Sequence, residues 1–450
     1  MTSTAARRAA DKTALRKGVK GTQRERLVQG MVTAANRAGY ARANVSAVIA
    51  EAKVSRPTFY DYFADRDQCF GAAIEHAHAT LSGYVRAKID AAPAEHALQA
   101  SIRGLVQFAS REPSLARFLT TEPMAGGPAA LDARDAGITA IERMIQGRYR
   151  AADRGALAPD FSSRLIIGGI CRVLAPRLRR LEPDTHTPAL LEDLIAWVEA
   201  YEQPLARHSW RGLKPAPKTS RSPFVLDVPL APPEPLPRGR LRLSELEVAE
   251  NQRRRIMFAA ALLAERKGYN ATTIADITRQ AGVDGRVFYS KFNDKQDAFM
   301  AVHELGFQHV MQVTAEAFFS AGSWPERNWE AGRAFTQFLE INPLVASVGF
   351  IEAYAVGPGA VQRFEDSHLA FSMLLKDGYR HLAQDRRPSQ IALETIVATI
   401  FEAVYLGVRA GGAEQLSGLL PHFTFLVLSP FVGPEAANSF IEEKLAAEPT

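Results

Sequence analysis

Cysteine is almost missing from this chain of 450 residues: only Cys69 and Cys171 occur, far apart in sequence. Two thiols so placed give no disulfide framework, so a reducing compartment is the natural reading, with both thiols buried and inert. Long apolar runs are also missing. No stretch reads as the roughly 18 to 20 apolar residues of a membrane span, and residues 1–26, which hold eight Lys or Arg, have no apolar core of signal-peptide length. A soluble cytoplasmic protein is expected. Alternating strand patterns are scarce, which leaves an all-α chain. Phosphate-cradling glycine loops, a nucleophile elbow and metal-site spacings are absent too. His76 with His78 and His303 with His309 come nearest, but neither pair has the i, i+4 spacing beside a carboxylate that a helical metal site requires. No catalytic residue, cofactor or metal is expected, and an enzyme is disfavoured.

Ordinary folding material is abundant. The 47% apolar content supports buried cores, and the length allows several domains. The net charge of +5 is compatible with a polyanionic partner without requiring one.

The most informative feature is a repeat, and a repeat fixes architecture before any single residue is interpreted. Residues 24–70 align without a gap on residues 253–299, Gly39-Tyr40 falling on Gly268-Tyr269 at an offset of 229. Ala52 and Val54 fall on Ala281 and Val283, Phe59-Tyr60 on Phe288-Tyr289, and Phe63, Asp65 and Phe70 on Phe292, Asp294 and Phe299. The similarity continues beyond these segments. Glu122 to Ala130 mirrors Glu352 to Ala360, Tyr149-Arg150 matches Tyr379-Arg380, Pro159 matches Pro388, and Leu190-Leu191 matches Leu419-Leu420. A duplicated unit is followed by helical periodicity, as in Leu165-Ile166-Ile167 with Ile170, Val173 and Leu174, or Ile391, Thr395, Ile396, Ile400 and Val404.

Between the copies, Pro215, Pro217, Pro223, Pro229, Pro232, Pro233, Pro235 and Pro237 mark an extended, non-helical spacer; at roughly 3.1 Å per residue it could reach about 120 Å. The expected organisation is a basic arm over 1–21, a first reading head over 22–70, a first helical body over 71–205, the spacer over 206–245, a second head over 246–299, a second body over 300–435 and a tail over 436–450. The arm, with Arg7, Arg8, Lys12, Arg16, Lys17 and Lys20, is either a groove-binding arm or a solubilising tail.

Each head reads as a helix-turn-helix. In the second, Arg253 to Gly268 gives a first helix with Ile256, Ala260, Leu263 and Ala264 inward and Gly268 as breaker. Thr273 then caps a short helix from Ile274 to Ala281, Gly282 makes the turn, and Asp284 caps a third helix from Gly285 to Phe292. Two short helices joined in this way present the second to the DNA major groove.

The segment TTIADITRQAGVDGRVFYSKFNDKQDAF, and less closely NVSAVIAEAKVSRPTFYDYFADRDQCF, resembles the amino-terminal domain of the tetracycline-repressor (TetR) family. The first head departs at Lys53, where the turn normally has glycine, and at Pro57, which a helix's first turn tolerates. The second has Gly285-Arg286 in place of the usual basic-then-glycine order. The resemblance implies phosphate contacts from Tyr60, Tyr289, Arg66 and Lys295. It puts Arg56, Pro57, Thr58 and Tyr62, and Gly285, Arg286, Val287 and Lys291, at groove-facing positions. Asn44 and Ser55, with the helix caps Thr273 and Asp284, complete the expected DNA-binding set. Phe59, Phe63, Phe288 and Phe292 are core, and the tyrosines are either core cement or phosphate donors.

The resemblance also implies two tandem units, each a three-helix head followed by a ligand and dimerisation body. The last two helices of each copy, about 160–182 with 187–205 and 388–411 with 413–430, would meet in a four-helix interface, where Gly168-Gly169, Ala398 and Gly407 allow close approach. An effector pocket is implied by the family alone. Phe318, Phe319, Trp324, Trp329, Phe335, Phe338, Tyr354, Phe371 and Tyr379 are its candidate lining or simply core. The expected function is an effector-responsive repressor binding a double-stranded operator as a single-chain pseudo-dimer on an asymmetric site, with a small apolar effector as second partner. A homodimer with four heads, a nonspecific architectural DNA binder and a regulator with one active head are the alternatives.

Overall fold

A computed structural model describes residues 22–151, 162–180, 187–201, 219–225, 230–236, 243–382, 387–411 and 413–448. The expected arm over 1–21 lies outside the described residues. Helix α1 covers residues 22–38. It is followed by α2 (Val45–Ala52), α3 (Arg56–Tyr60), α4 (Arg66–Ala91), α5 (Ala97–Arg111), α6 (Pro113–Thr121), α7 (Pro128–Ala151), α8 (Ser163–Arg179) and α9 (Thr187–Glu199). The second copy supplies α10 (Glu245–Lys267), α11 (Ile274–Ala281), α12 (Gly285–Tyr289), α13 (Lys295–Ser320), α14 (Trp324–Ile341), α15 (Pro343–Ser347), α16 (Ala353–Val356), α17 (Pro358–Leu375), α18 (Gln390–Arg409), α19 (Leu420–Val432) and α20 (Pro434–Ala447). No strand occurs among the described residues, so the chain is all-α with tandem units.

Two compact units result. Among the described residues, the first comprises 22–148 and 177–180, the second 149–151, 162–176 and the described residues from 187 onward. The expected first body, 71–205, is therefore divided. Most of α8 and all of α9 fold with the second unit, where their apolar faces are buried. Ile166, Ile167, Ile170, Leu194 and Val198 are all fully enclosed, and the Tyr201 hydroxyl donates to the carbonyl of Leu426 at 2.7 Å. Burying each such aliphatic side chain contributes about 1.5 to 3 kcal/mol, which an isolated helix pair could not realise.

The proline-rich spacer does not hang free where it is described. Residues 219–225 and 230–236 are non-helical and lie along the second body. The Ser222 N–H donates to Gln337 Oε1 at 2.8 Å, and the Leu230 N–H donates to Asn342 Oδ1 at 2.6 Å. Gln337 Nε2 returns a bond to the Ser220 carbonyl at 3.0 Å. Pro lacks an N–H, so the amides of Ser222 and Leu230, between the prolines, are the ones that can be satisfied by the body's side chains.

Three boundaries also move. α10 begins at Glu245, not Arg253, because Ser244 and Glu247 form a capping box. The expected tail contains a full helix, α20, whose Ala437 and Ile441 are buried. The third helix of the second head ends at Tyr289, three residues short of Phe292, where Ser290 bonds back to Val287 through its hydroxyl. Contrary to expectation, Gln390–Arg409 and Ala413–Val432 are long and apolar enough to cross a membrane, yet 67% of each apolar window is buried inside the protein. These are core helices of the second body.

Candidate nucleic-acid interface

Each head is a three-helix core with phenylalanine at its centre. Leu27, Met31, Val48, Phe59 and Phe63 are enclosed in the first, and Ile256, Ala260, Ile277, Phe288 and Phe292 in the second. Thr273 and Asp284 cap their helices as expected, and Asn44 and Ser55 do the same in the first head. Asn44 Oδ1 accepts from Ala47 N at 2.9 Å, Ser55 Oγ from Thr58 N at 3.2 Å, Thr273 Oγ1 from Asp276 N at 3.2 Å, and Asp284 Oδ1 from Val287 N at 2.9 Å. Each cap contributes about 1 kcal/mol and sets where the short helices start.

The turn between the second and third helices is left-handed in both heads: Gly282 has φ 63 and Lys53 has φ 53. Glycine takes this conformation freely, whereas lysine is strained in it. A matching arginine on the first helix clasps each turn. Arg26 Nη2 donates to the Lys53 carbonyl at 2.9 Å. Arg255, at the corresponding position, donates to the Ala281 carbonyl and to that of Gly282 at 3.4 Å. Arg24 and Arg253 repeat this symmetry, with their guanidiniums 5.5 and 5.4 Å over the rings of Phe63 and Phe292.

On the third helix, Arg56, Pro57, Gly285 and Arg286 are exposed, while Thr58 and Val287 are half-buried, Val287 against the hydrophobic core. Arg56 is not idle: its Nη2 donates to Ser46 Oγ at 2.7 Å, tying the third helix to the start of the second. Tyr60 and Tyr289 are 50% and 62% exposed, and each ring packs edge-on against the preceding phenylalanine at 5.4 Å. Each ring is therefore anchored on the phenylalanine while about half or more of the residue stays open to solvent. Tyr62 is half-buried and its hydroxyl donates to Gln23 at 3.1 Å, and Lys291 is likewise half-buried. Tyr62 thus braces the first helix.

Arg66 and Lys295 stand at the first residue of the long fourth helix of each head, after the caps Asp65 and Asp294. Each rests on a tyrosine. The Arg66 guanidinium lies 4.2 Å over the ring of Tyr40, and Lys295 Nζ lies 4.0 Å over that of Tyr269. Arg66 Nη2 also donates to the Tyr40 hydroxyl at 2.6 Å, and Lys295 Nζ to the Tyr269 carbonyl at 2.8 Å. Burial pushes both tyrosine hydroxyls up to about 12, so neither ionises near neutrality. The two tyrosines in turn reach the bodies. Tyr40 N–H donates to Glu122 Oε2 at 2.7 Å, and Tyr269 N–H to Glu352 Oε2 at 2.8 Å.

Arg24, Arg26, Ser46, Tyr40 and Glu122, with their second-copy counterparts where these exist, were not among the residues expected to matter. The repeat carried the signal, since Arg24, Arg26, Tyr40 and Glu122 recur as Arg253, Arg255, Tyr269 and Glu352.

Within the second body, two apolar cavities adjoin. One, of about 80 Å³, is lined by Thr314, Phe318, Asn328 and Leu375 among others. The second, of about 40 Å³, is lined by His303, Phe307, Val348, Gly349 and Phe350. Phe335, Phe371 and Phe401 line both. Of the aromatics expected as lining, Phe318, Phe335 and Phe371 do so, whereas Trp324 and Trp329 are enclosed core and Phe319 is exposed.

The profile described as "Bacterial regulatory proteins, tetR family" matches the chain twice, over residues 32–73 and 256–302. No curated protein matches. Among solved structures, the fatty acid degradation regulator FadR from Bacillus halodurans is 19% identical over 39% of this chain and 94% of that one, with a TM-score of 0.36. A putative TetR-family transcriptional regulator from Syntrophomonas wolfei is 19% identical over 39% and 95%, with a TM-score of 0.33.

Proposed function

We propose that this chain, which belongs to the TetR family of transcriptional regulators and carries the family's DNA-binding domain twice, is a sequence-specific repressor acting as a single-chain pseudo-dimer on an asymmetric operator. It works in the cytoplasm and leaves its operator when a small apolar effector binds. The observation that carries the reading is the pair of matched heads with unmatched recognition helices. Both heads keep the arginine clasp, the exposed tyrosine and the ring-mounted cation. The corresponding third-helix residues nevertheless differ, Arg56-Pro57-Thr58 in one head and Gly285-Arg286-Val287 in the other. That the clasp closes around strained Lys53 supports an active first head.

Tyr60 and Tyr289 donate their hydroxyls to phosphates, Arg66 and Lys295 pair with phosphates at the start of the fourth helix, and the starts of the second and third helices, capped by Asn44, Ser55, Thr273 and Asp284, lie against the DNA backbone. Arg56 and Arg286 read guanine, and Thr58 and Val287 meet thymine methyls. Lys291 reaches the backbone beside the groove. For Arg56, base contact means exchanging Ser46 for a guanine edge.

Effector response runs through Glu352. Val348, Gly349 and Phe350, which line the smaller cavity, lie in the π-helical turn that ends at Glu352. A ligand that pushes apart Phe335, Phe371 and Phe401 to join the cavities displaces that turn. It thereby shifts the carboxylate holding Tyr269, on which Lys295 rests. An apolar lining with few polar groups suits an uncharged, largely hydrocarbon molecule.

Enrichment of bound duplexes from a random pool, followed by titration, tests the reading. A repressor prefers the enriched site over random DNA by about 10³ or more at fixed salt, whereas an architectural binder shows no such ratio.

A further inference from the structure

We propose that the buried Arg172–Glu402 ion pair dictates which surfaces mate, so that α8 accepts α18 of its own chain and rejects a second copy of itself. This rests on the single-chain reading above. Arg172 Nε donates to Glu402 Oε2 at 2.7 Å, with side chains 5% and 1% exposed. Arg172 Nη1 donates to the Tyr354 hydroxyl at 2.6 Å, and the guanidinium lies 5.4 Å over the ring of Tyr405. The helices touch at this level because Gly168 and Gly169 carry no side chain. A Cβ on Gly168 would overlap the Glu402 side chain, and one on Gly169 would overlap Thr399.

α8 and α18 hold corresponding places in the two copies, Gly169 falling on Ala398 at the repeat offset. Their charges are nonetheless opposite. α8 contains Arg164, Arg172, Arg177 and Arg179 and no acid. α18 contains Glu394 and Glu402, and its one base is Arg409 at the far end. An ordinary symmetric dimer of either copy would set Arg172 against Arg172, or Glu402 against Glu402, at a buried crossing point. A buried charge left without its partner is strongly destabilising, and like charges brought together are penalised as well. Only the unlike pairing satisfies both groups. The pair therefore acts less as a source of stability than as a lock on partner choice. It confines the two reading heads to one chain and prevents chains from linking into larger assemblies through leftover α8 and α18 faces.

The test uses the full chain with a protease site inserted between residues 206 and 218, cleaved after folding, then diluted, re-equilibrated and weighed by native mass spectrometry. Uncleaved protein should weigh one chain. The cleaved wild type should keep its two fragments paired one to one, exceeding self-pairs by at least about tenfold. Arg172→Glu and Glu402→Arg, which make every pairing like-charged, should scramble toward a statistical mixture or come apart. Arg172→Glu combined with Glu402→Arg should restore the one-to-one pairing. If a like-charged variant does not fold, Arg172→Gln with Glu402→Gln supplies a neutral pair, which should also scramble. Single or neutral variants that stay as strictly one to one as the wild type overturn the lock while leaving the single-chain reading intact. An uncleaved wild type weighing two chains overturns the single-chain reading itself.

Discussion

The backbone N–H of Tyr40 donates to Oε2 of Glu122, and that bond joins the first reading head to the body behind it. Burial holds the Glu122 carboxyl up at about 7, against the accepted N–H and the neighbouring Arg117 and Arg179, which pull it down. A carboxyl raised in the folded state stabilises fully below its ordinary value, near 4.5, and that stability is lost as pH rises through about 7. The size is on the order of 3 kcal/mol. Buried His78, lowered to about 4 by burial and then by Arg134, acts in the opposite sense: its contribution is present above about 6.5 and lost as pH falls through about 4. The wild-type profile thus mixes the two. Comparison with Glu122→Gln separates them: the variant's melting temperature minus that of the wild type should grow from pH 5 to pH 8. A constant difference would show that Glu122 does not titrate in this window.

Lys53 occupies the left-handed turn that Gly282 occupies in the other head. Lys53→Gly should relieve about 1 kcal/mol of strain and raise the urea midpoint, because Arg26 grips the backbone carbonyl and not the side chain. The reverse change, Gly282→Lys, should lower it. If Lys53→Gly lowers stability, the strain assigned to that turn is wrong.

Phosphate and base contacts respond differently to mutation. Tyr289→Phe and Lys295→Ala should weaken all sequences alike, with Lys295→Ala reducing the salt slope by about one. Arg286→Ala should cost about 1 to 3 kcal/mol against the preferred base pair at one position only. Titration of the enriched site and its single-base variants distinguishes these outcomes; a uniform loss for Arg286→Ala would remove it from base reading.

Phe401 separates the two cavities and packs against Phe335, Phe350, Phe364 and Phe371. Phe401→Ala should lower stability by about 3 to 5 kcal/mol. It should also open one larger apolar space, so that saturating benzene recovers part of the loss in a urea titration. Equal midpoints with and without benzene would show that the space collapses.

Much of this was legible in the sequence because the duplicated heads obey local rules. Caps, glycine turn and buried phenylalanines each follow from a residue's own backbone preference or from helical spacing. Arg26 and Arg255 were visible as a repeated pair, but their clasp depends on the first helix crossing the turn, which spacing does not encode. The boundaries failed for tertiary reasons. The spacer's described segments gain partners from Gln337 and Asn342, the tail from the core beneath Ala437 and Ile441, and α8 from a carboxylate 230 residues away. Gln390–Arg409 looks like a membrane span only until Glu402 is seen paired inside it.

A hydroxyl-radical footprint of the full chain on its enriched site tests most directly whether one chain reads DNA with two unlike heads. Two protected half-sites of different sequence in fixed orientation, about one helical turn or roughly 34 to 36 Å apart, are expected. Two identical inverted half-sites, or protection of a single half-site of about 6 to 8 base pairs, would contradict the account.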